Sequence, residues 1–210
     1  MNDSGFAWQP IPELRDCQLS ALRLSRTALV AATDLGDPLA PRGSVHSRRK
    51  QQVGARLARS AHALQTGMDI FHSMGPLYQH AAALPVHVLT GHNSTAVVQV
   101  AVQFDSRTVQ RGLRTQDAPC PVELGVPPEE CGGFEIRTQD GRWHDASVRL
   151  DASGRGIILQ SLVSLRTWGA GEIVIQTGAT ATRYGFAPWP LCVLYSGTLP
   201  AFPWSKFIYE

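Results

Sequence analysis

The chain has 210 residues, 43% hydrophobic and 17% charged, with 19 basic against 17 acidic side chains and a formal charge of +2. That length can bury a real core, and the balanced charge, with no basic stripe interleaved with aromatics, argues against a nucleic-acid surface. No stretch is apolar for long enough to span a bilayer as a helix, while 19 glycines and 14 prolines favour a turn-rich β protein over a helical bundle.

The first ten residues, MNDSGFAWQP, lack the positive start and apolar run of a signal peptide. Residues 12 to 22 predict a short helix opened by Pro12, with Leu14, Leu19 and Leu22 on one side. The run from Thr27 to Thr33 is apolar without polar alternation, the pattern of a strand covered on both faces in a parallel sheet. Such a strand needs neighbours, and the 26 residues before it read as helical or irregular. A Pro- and Gly-rich loop, 34 to 46, follows and carries His46. Next, Val53, Leu57, Ala61 and Leu64 recur at helical spacing, with Ser47 as a candidate cap and Gly67 just past the end. Arg48, Arg49 and Lys50 form the densest basic cluster and read as a solvated helix start.

Past Gly75 the pattern changes. PVHVLTG, TAVVQVAVQF, GGFEIRT, DASVRLD, GIILQSL, GEIVIQTG and TATRYGF are short strand-like runs separated by Gly, Asp and Asn turns. The expected fold class is therefore α+β. Residues 1–70 form the C-terminal remnant of an α/β layer (helix, buried strand, helix), and residues 71–210 form a β-sandwich-like domain.

The four cysteines lack metal-type spacing, so no metal site is expected. Cys120 and Cys131 flank a Pro-rich loop, which leaves two readings: a disulfide closing it, or two buried thiols. Sequons at Asn2 and Asn93 fit a secretory-pathway protein.

Two segments carry a resemblance. DLGDPLAPRGSVHSRRKQQVGARLA is similar to the sialate O-acetylesterase stretch in which D-L-x-D leads to G-S-I/V-H-P and a basic, Gln-containing helix. ATRYGFAPWPLCVLYSGTLPAFPW is similar to that family's closing segment, with RYxW and an L-P-A-x-P-F ending, and GGFEIRTQDGRW between them fits more weakly. The family is of SGNH hydrolase type, secreted or lysosomal, and works without a cofactor. A serine early in its α/β domain attacks an acetyl ester, and a histidine late in that domain takes the serine proton.

Carried over by motif, the histidine is His46. A neutral imidazole suits that task because its pKa lies near neutrality. The implied substrate is an O-acetylated sialic acid or related acetylated sugar, and the implied partner is a missing N-terminal part. The departures are specific. Ser47 stands where the family has Pro, Arg49 where it has an acid, and Phe186 where RYxW has Trp. Ser44 occupies the position, two before the histidine, at which many relatives place an orienting Asp; Asp34 or Asp37 could reach the imidazole from the preceding loop, which leaves the acid unassigned. Neither the serine block nor the glycine and asparagine of the family's oxyanion hole occurs in these 210 residues, so the chain alone is expected to be inactive.

Without the resemblance, His46 is one of seven histidines. His62 and His72 read as a helix-surface and a loop residue, and His80, His87, His92 and His144 accompany strand-like runs with no metal spacing. The competing reading is a non-catalytic carbohydrate-binding or interaction module built on the β-rich half. In it Trp143, Trp168, Trp189 or Trp204 would stack on sugar rings instead of packing in a core.

Overall fold

The computed structural model describes residues 11–43, 46–89, 95–165, 167–168, 172–173 and 178–208. The chain opens with α1 (Ile11–Leu19), which tightens into a 3₁₀ turn over Ser20–Arg23. Leu19 and Leu22 pack inward as their spacing predicts, whereas Leu14 points to solvent at 56% exposure. Helix α2 (Lys50–Thr66) ends at Gly67, whose left-handed φ of 71° suits a residue without Cβ.

The predicted strand over Thr27–Thr33 does not form. Among the described residues no backbone hydrogen bond reaches the amides of 28–32, and of these residues only Ala31 is fully buried. The apolar composition is that of a strand, but no described strand offers carbonyls to it. Leu29 and Ala31 instead join Leu19, Leu22, Met74 and Phe202 in a small apolar cluster.

The β-rich part begins with β1 (Tyr78–Ala83), β2 (His87–Leu89), β3 (Thr95–Phe104) and β4 (Leu113–Thr115). It continues through β5 (Cys131–Gly132), β6 (Phe134–Thr138), β7 (Trp143–Leu150), β8 (Gly156–Ser164), β9 (Thr167–Trp168) and β10 (Glu172–Ile173). It closes with β11 (Ala179–Tyr184), β12 (Trp189–Pro190), β13 (Leu194–Ser196), β14 (Leu199–Pro200) and β15 (Trp204–Phe207).

Eight of these strands make one antiparallel sheet in the order β1-β3-β8-β7-β6-β11-β15, with β2 also on β3. The sheet curls until its ends approach. Tyr78 of β1 and Trp204 of β15 lie 5.6 Å apart between ring centroids, and the Phe202 amide donates to the Pro76 carbonyl at 3.0 Å. The two facing layers anticipated as a sandwich thus belong to a single, nearly closed sheet.

Alternation builds the interior. Along β3, Ala96, Val98, Val100, Val102 and Phe104 point in, while Gln99 on the outer face donates to Gln160 of β8. Ile157 and Leu159 of β8, Phe134 and Ile136 of β6, and Tyr184 of β11 complete the core with Trp204.

The closing segment after β11 is what holds the N-terminal part down. Arg15 of α1 donates to the Ala187 and Pro188 carbonyls at 2.8 and 3.0 Å, and Asp16 pairs with Lys206 at 2.9 Å. Gly36 lies under the Trp189 ring, where a Cβ would come within 2.8 Å of the indole. Among the described residues no helix is long and apolar enough to cross a membrane.

Candidate functional site

His46 sits in the loop between a 3₁₀ turn over Thr33–Leu35 and α2. The loop is a succession of single turns: Ala40 donates to the Asp37 carbonyl, Gly43 to Ala40 and His46 to Gly43, at 3.1, 3.0 and 2.9 Å. Gly43 takes φ +91°, which a side chain would resist. The imidazole of His46 is exposed, and no described side chain, serine hydroxyls included, lies within hydrogen-bonding reach of it. Ser44 lies outside the described residues, as do Asn2, His92 and Asn93.

Both acids that could have oriented the imidazole are committed to arginines. Asp37 takes a forked pair of bonds from Arg48, 2.6 Å from Nε and 3.0 Å from Nη2, plus a longer one from the Arg48 amide at 3.3 Å. These bonds hold its carboxyl down at about 2. A depressed carboxylate contributes stability that is fully present above its unfolded value, about 4. That contribution is lost as pH falls through the folded value of about 2. Asp37→Asn is therefore expected to be less stable than the parent at neutral pH, with the gap closing between about pH 4 and pH 2, as denaturant midpoints measured across that range would show.

Asp34 is engaged more deeply. Arg56 of α2 clamps it from Nη1 and Nη2 at 2.6 and 2.7 Å, and the same Nη1 reaches the Ala31 carbonyl at 2.6 Å. The two side chains are only 10% and 11% exposed. Arg56 thus joins α2 to the unpaired 27–32 stretch, and the carboxylate beside it raises the guanidinium pKa.

This bond also turns the helix. The spacing predicts Leu57 and Ala61 on the buried face, yet both are exposed, Leu57 by 50%. The covered stripe is Val53, Arg56, Ser60, Ala63 and Leu64, and Ser60 meets the Ser73 hydroxyl at 2.8 Å. Arg56 and Ser60, one helical turn apart and flanked by apolar Val53 and Leu64, are the signal that a hydrophobic count passes over. Ser47 does not cap α2 either. Its hydroxyl donates to the Leu35 carbonyl at 2.5 Å and accepts from the Arg49 amide at 3.2 Å, ahead of the first helical residue.

The closing motif is structural in its contacts. Arg183 forks onto Glu135 at 2.6 and 2.7 Å and lies 4.3 Å over the Trp143 ring and 5.8 Å from Phe186. The Tyr184 hydroxyl accepts from the Val193 and Leu194 amides at 3.1 and 3.3 Å, and burial raises its pKa well above the usual value. Trp204 is 1% exposed and presents no open ring face to a sugar, while the partly buried Trp189 ring packs against Gly36. The Trp168 side chain lies outside the described residues.

Cys120 and Cys131 are joined in a disulfide, 5.9 Å apart between Cα atoms. Cys17 is free and exposed; Cys192 is free and buried, and burial pushes its thiol up to about 11. It is thus a poor nucleophile at neutral pH. Of the other histidines, His62, His80 and His87 are exposed, and His144 meets the Thr138 hydroxyl at 3.1 Å. No group of three or more potential metal ligands occurs among the described residues.

Comparison with protein-family models, curated proteins and solved structures gave no match.

Proposed function

We propose that this chain is the histidine-bearing C-terminal part of a sialate O-acetylesterase-like hydrolase of SGNH type. In the reading, a serine carried by a segment outside these residues attacks the acetyl carbonyl of an O-acetylated sialic acid or related sugar. His46 takes the serine proton and returns it to the leaving sugar hydroxyl, and water then cleaves the acetyl-serine.

The observation that carries the reading is the pairing of two unsatisfied features in one stretch. Among the described residues the apolar run before His46 has no strand partner, and the imidazole, open to solvent, has no hydrogen-bond partner. A serine-bearing layer would supply both a neighbouring strand and a hydroxyl. Because Asp34 and Asp37 are held by Arg56 and Arg48, the acid that orients His46 belongs to the same absent segment. The Cys120–Cys131 disulfide supports an oxidising compartment.

The test is complementation. The purified chain should not hydrolyse p-nitrophenyl acetate above its His46→Ala variant. Mixed with a separately expressed serine-bearing N-terminal part of a sialate O-acetylesterase, it should gain turnover by at least about a hundredfold, the scale set by restoring oxyanion donors. His46→Ala should abolish that gain. Turnover by the chain alone that depends on His46, or complementation indifferent to His46, would overturn the reading.

A further inference from the structure

A second site lies away from His46 and does not rest on the esterase reading. Between the 3₁₀ turn over Ile70–Ser73, the turn after β3 and the β13–β14 hairpin there is an open pit of about 40 Å³. That volume exceeds what one water needs and has room for a group the size of a carboxylate. Its lining contains no acidic side chain.

Two arginines, Arg107 and Arg111, stand among the polar groups that line the pit. Arg111 makes no hydrogen bond or ion pair with a described residue, and its stem lies across Gly197, 3.0 Å from where a Cβ would stand. Gly197, at φ +59°, makes both the hairpin turn and the room for that arginine. Arg107 spends Nε and Nη2 on Asp105, at 3.0 and 2.6 Å, and stacks 3.6 Å over Phe71, which fixes its plane and leaves Nη1 unused.

The Gln110 side-chain oxygen faces His72 Nε2 at 2.6 Å, so its amide N–H groups are the ones left to donate. Ser196 is 3% exposed, lies on the pit lining, and its hydroxyl has no partner among the described residues. That hydroxyl is not among the buried atoms left without a partner, so it opens onto the pit, where a bound acceptor would replace water.

The geometry points to a carboxylate-binding site, with Arg111 as the fork, the Ser196 hydroxyl as a donor in the wall and Arg107 and Gln110 at the rim. A carboxylate is planar and accepts two parallel N–H bonds, which matches a guanidinium left unpaired. The pit is open, so the body of a ligand larger than a carboxylate extends into solvent. A free carboxylate and one carried on a sugar share this chemistry, and acetate and glucuronate tell them apart.

The full chain is titrated in ¹H–¹⁵N NMR with sodium acetate, D-glucuronate, inorganic phosphate and D-glucose, each at constant ionic strength set with chloride. Acetate, glucuronate or both should give saturable shifts of the Arg111 Nε–H, the Gln110 side-chain amide and the Gly197 amide, with dissociation constants on the order of millimolar. Equal affinities would mean that the head group alone is read; tighter glucuronate binding would mean that the sugar also contributes. Arg111→Met should weaken binding roughly tenfold or more. Arg111→Lys, which keeps the charge and guards against loss of fold, should still weaken it several-fold. Linear, unsaturated shifts, shifts unchanged in both Arg111 variants, shifts matched by glucose, or binding of phosphate without either carboxylate would overturn the site.

Discussion

Replacing Arg56 by methionine should destabilise the chain by about 3–5 kcal/mol, the cost of leaving a buried charge without its partner. Methionine fills much of the arginine stem, so the loss comes from the polar end. Asp34, 11% exposed as a side chain, would keep its carboxylate with no counterion, and the Ala31 carbonyl would lose its donor. Adding Asp34→Asn removes the stranded charge, so the double variant should regain about 1–2 kcal/mol over Arg56→Met alone. Urea unfolding of the two single variants and the double variant measures this directly. A loss below about 1 kcal/mol for Arg56→Met would mean that Arg56 decorates the helix instead of fastening it.

Trp204→Ala should cost about 3–5 kcal/mol, the usual loss for emptying a large aromatic site that cannot collapse. The indole is 1% exposed and meets four rings, Tyr184, Tyr78, Phe104 and Phe134, at centroid distances of 5.0, 5.6, 5.7 and 5.9 Å. It stands where the last strand of the curled sheet turns back toward the first, so truncation opens the seam as well as the core. Trp204→Phe should cost far less, about 1–2 kcal/mol. The indole N–H has no hydrogen-bond partner in the structure, so its removal strands no acceptor. The two variants compared in one denaturant series separate ring volume from the polar atom.

How far the sequence was legible differs between the two parts for a physical reason. The interior strands announce themselves because one face is apolar and the other is not: TAVVQVAVQF alternates residue by residue, and β3 spans Thr95–Phe104 with alternate side chains inside. β1, with the sequence YQHAAA, pairs with β3 along most of its length but carries no β-branched residue, so its strand character comes from its neighbour and not from itself. The spacing of Cys120 and Cys131 left disulfide and free thiols open, and the structure joins them.

In the N-terminal part the apolar count misled twice. Thr27–Thr33 has a strand's composition but no partner among the described residues, and α2 turns on its axis because Arg56 and Ser60 find polar partners at Asp34 and Ser73. A hydrogen bond to a residue in another element leaves no periodic trace in the chain. The same is true of the candidate site. His46 is found by motif, but the commitment of Asp34 and Asp37 to arginines is visible only in three dimensions.

Amide hydrogen exchange of residues 28–32 tests most directly whether this stretch is a strand without its sheet. In the isolated chain these amides should exchange close to the rate of an open backbone, since no described acceptor meets them. With the serine-bearing segment added, they should slow by at least about a hundredfold as ladder hydrogen bonds form. Strong protection in the isolated chain, or unchanged exchange in a mixture that has recovered His46-dependent ester turnover, would contradict the account.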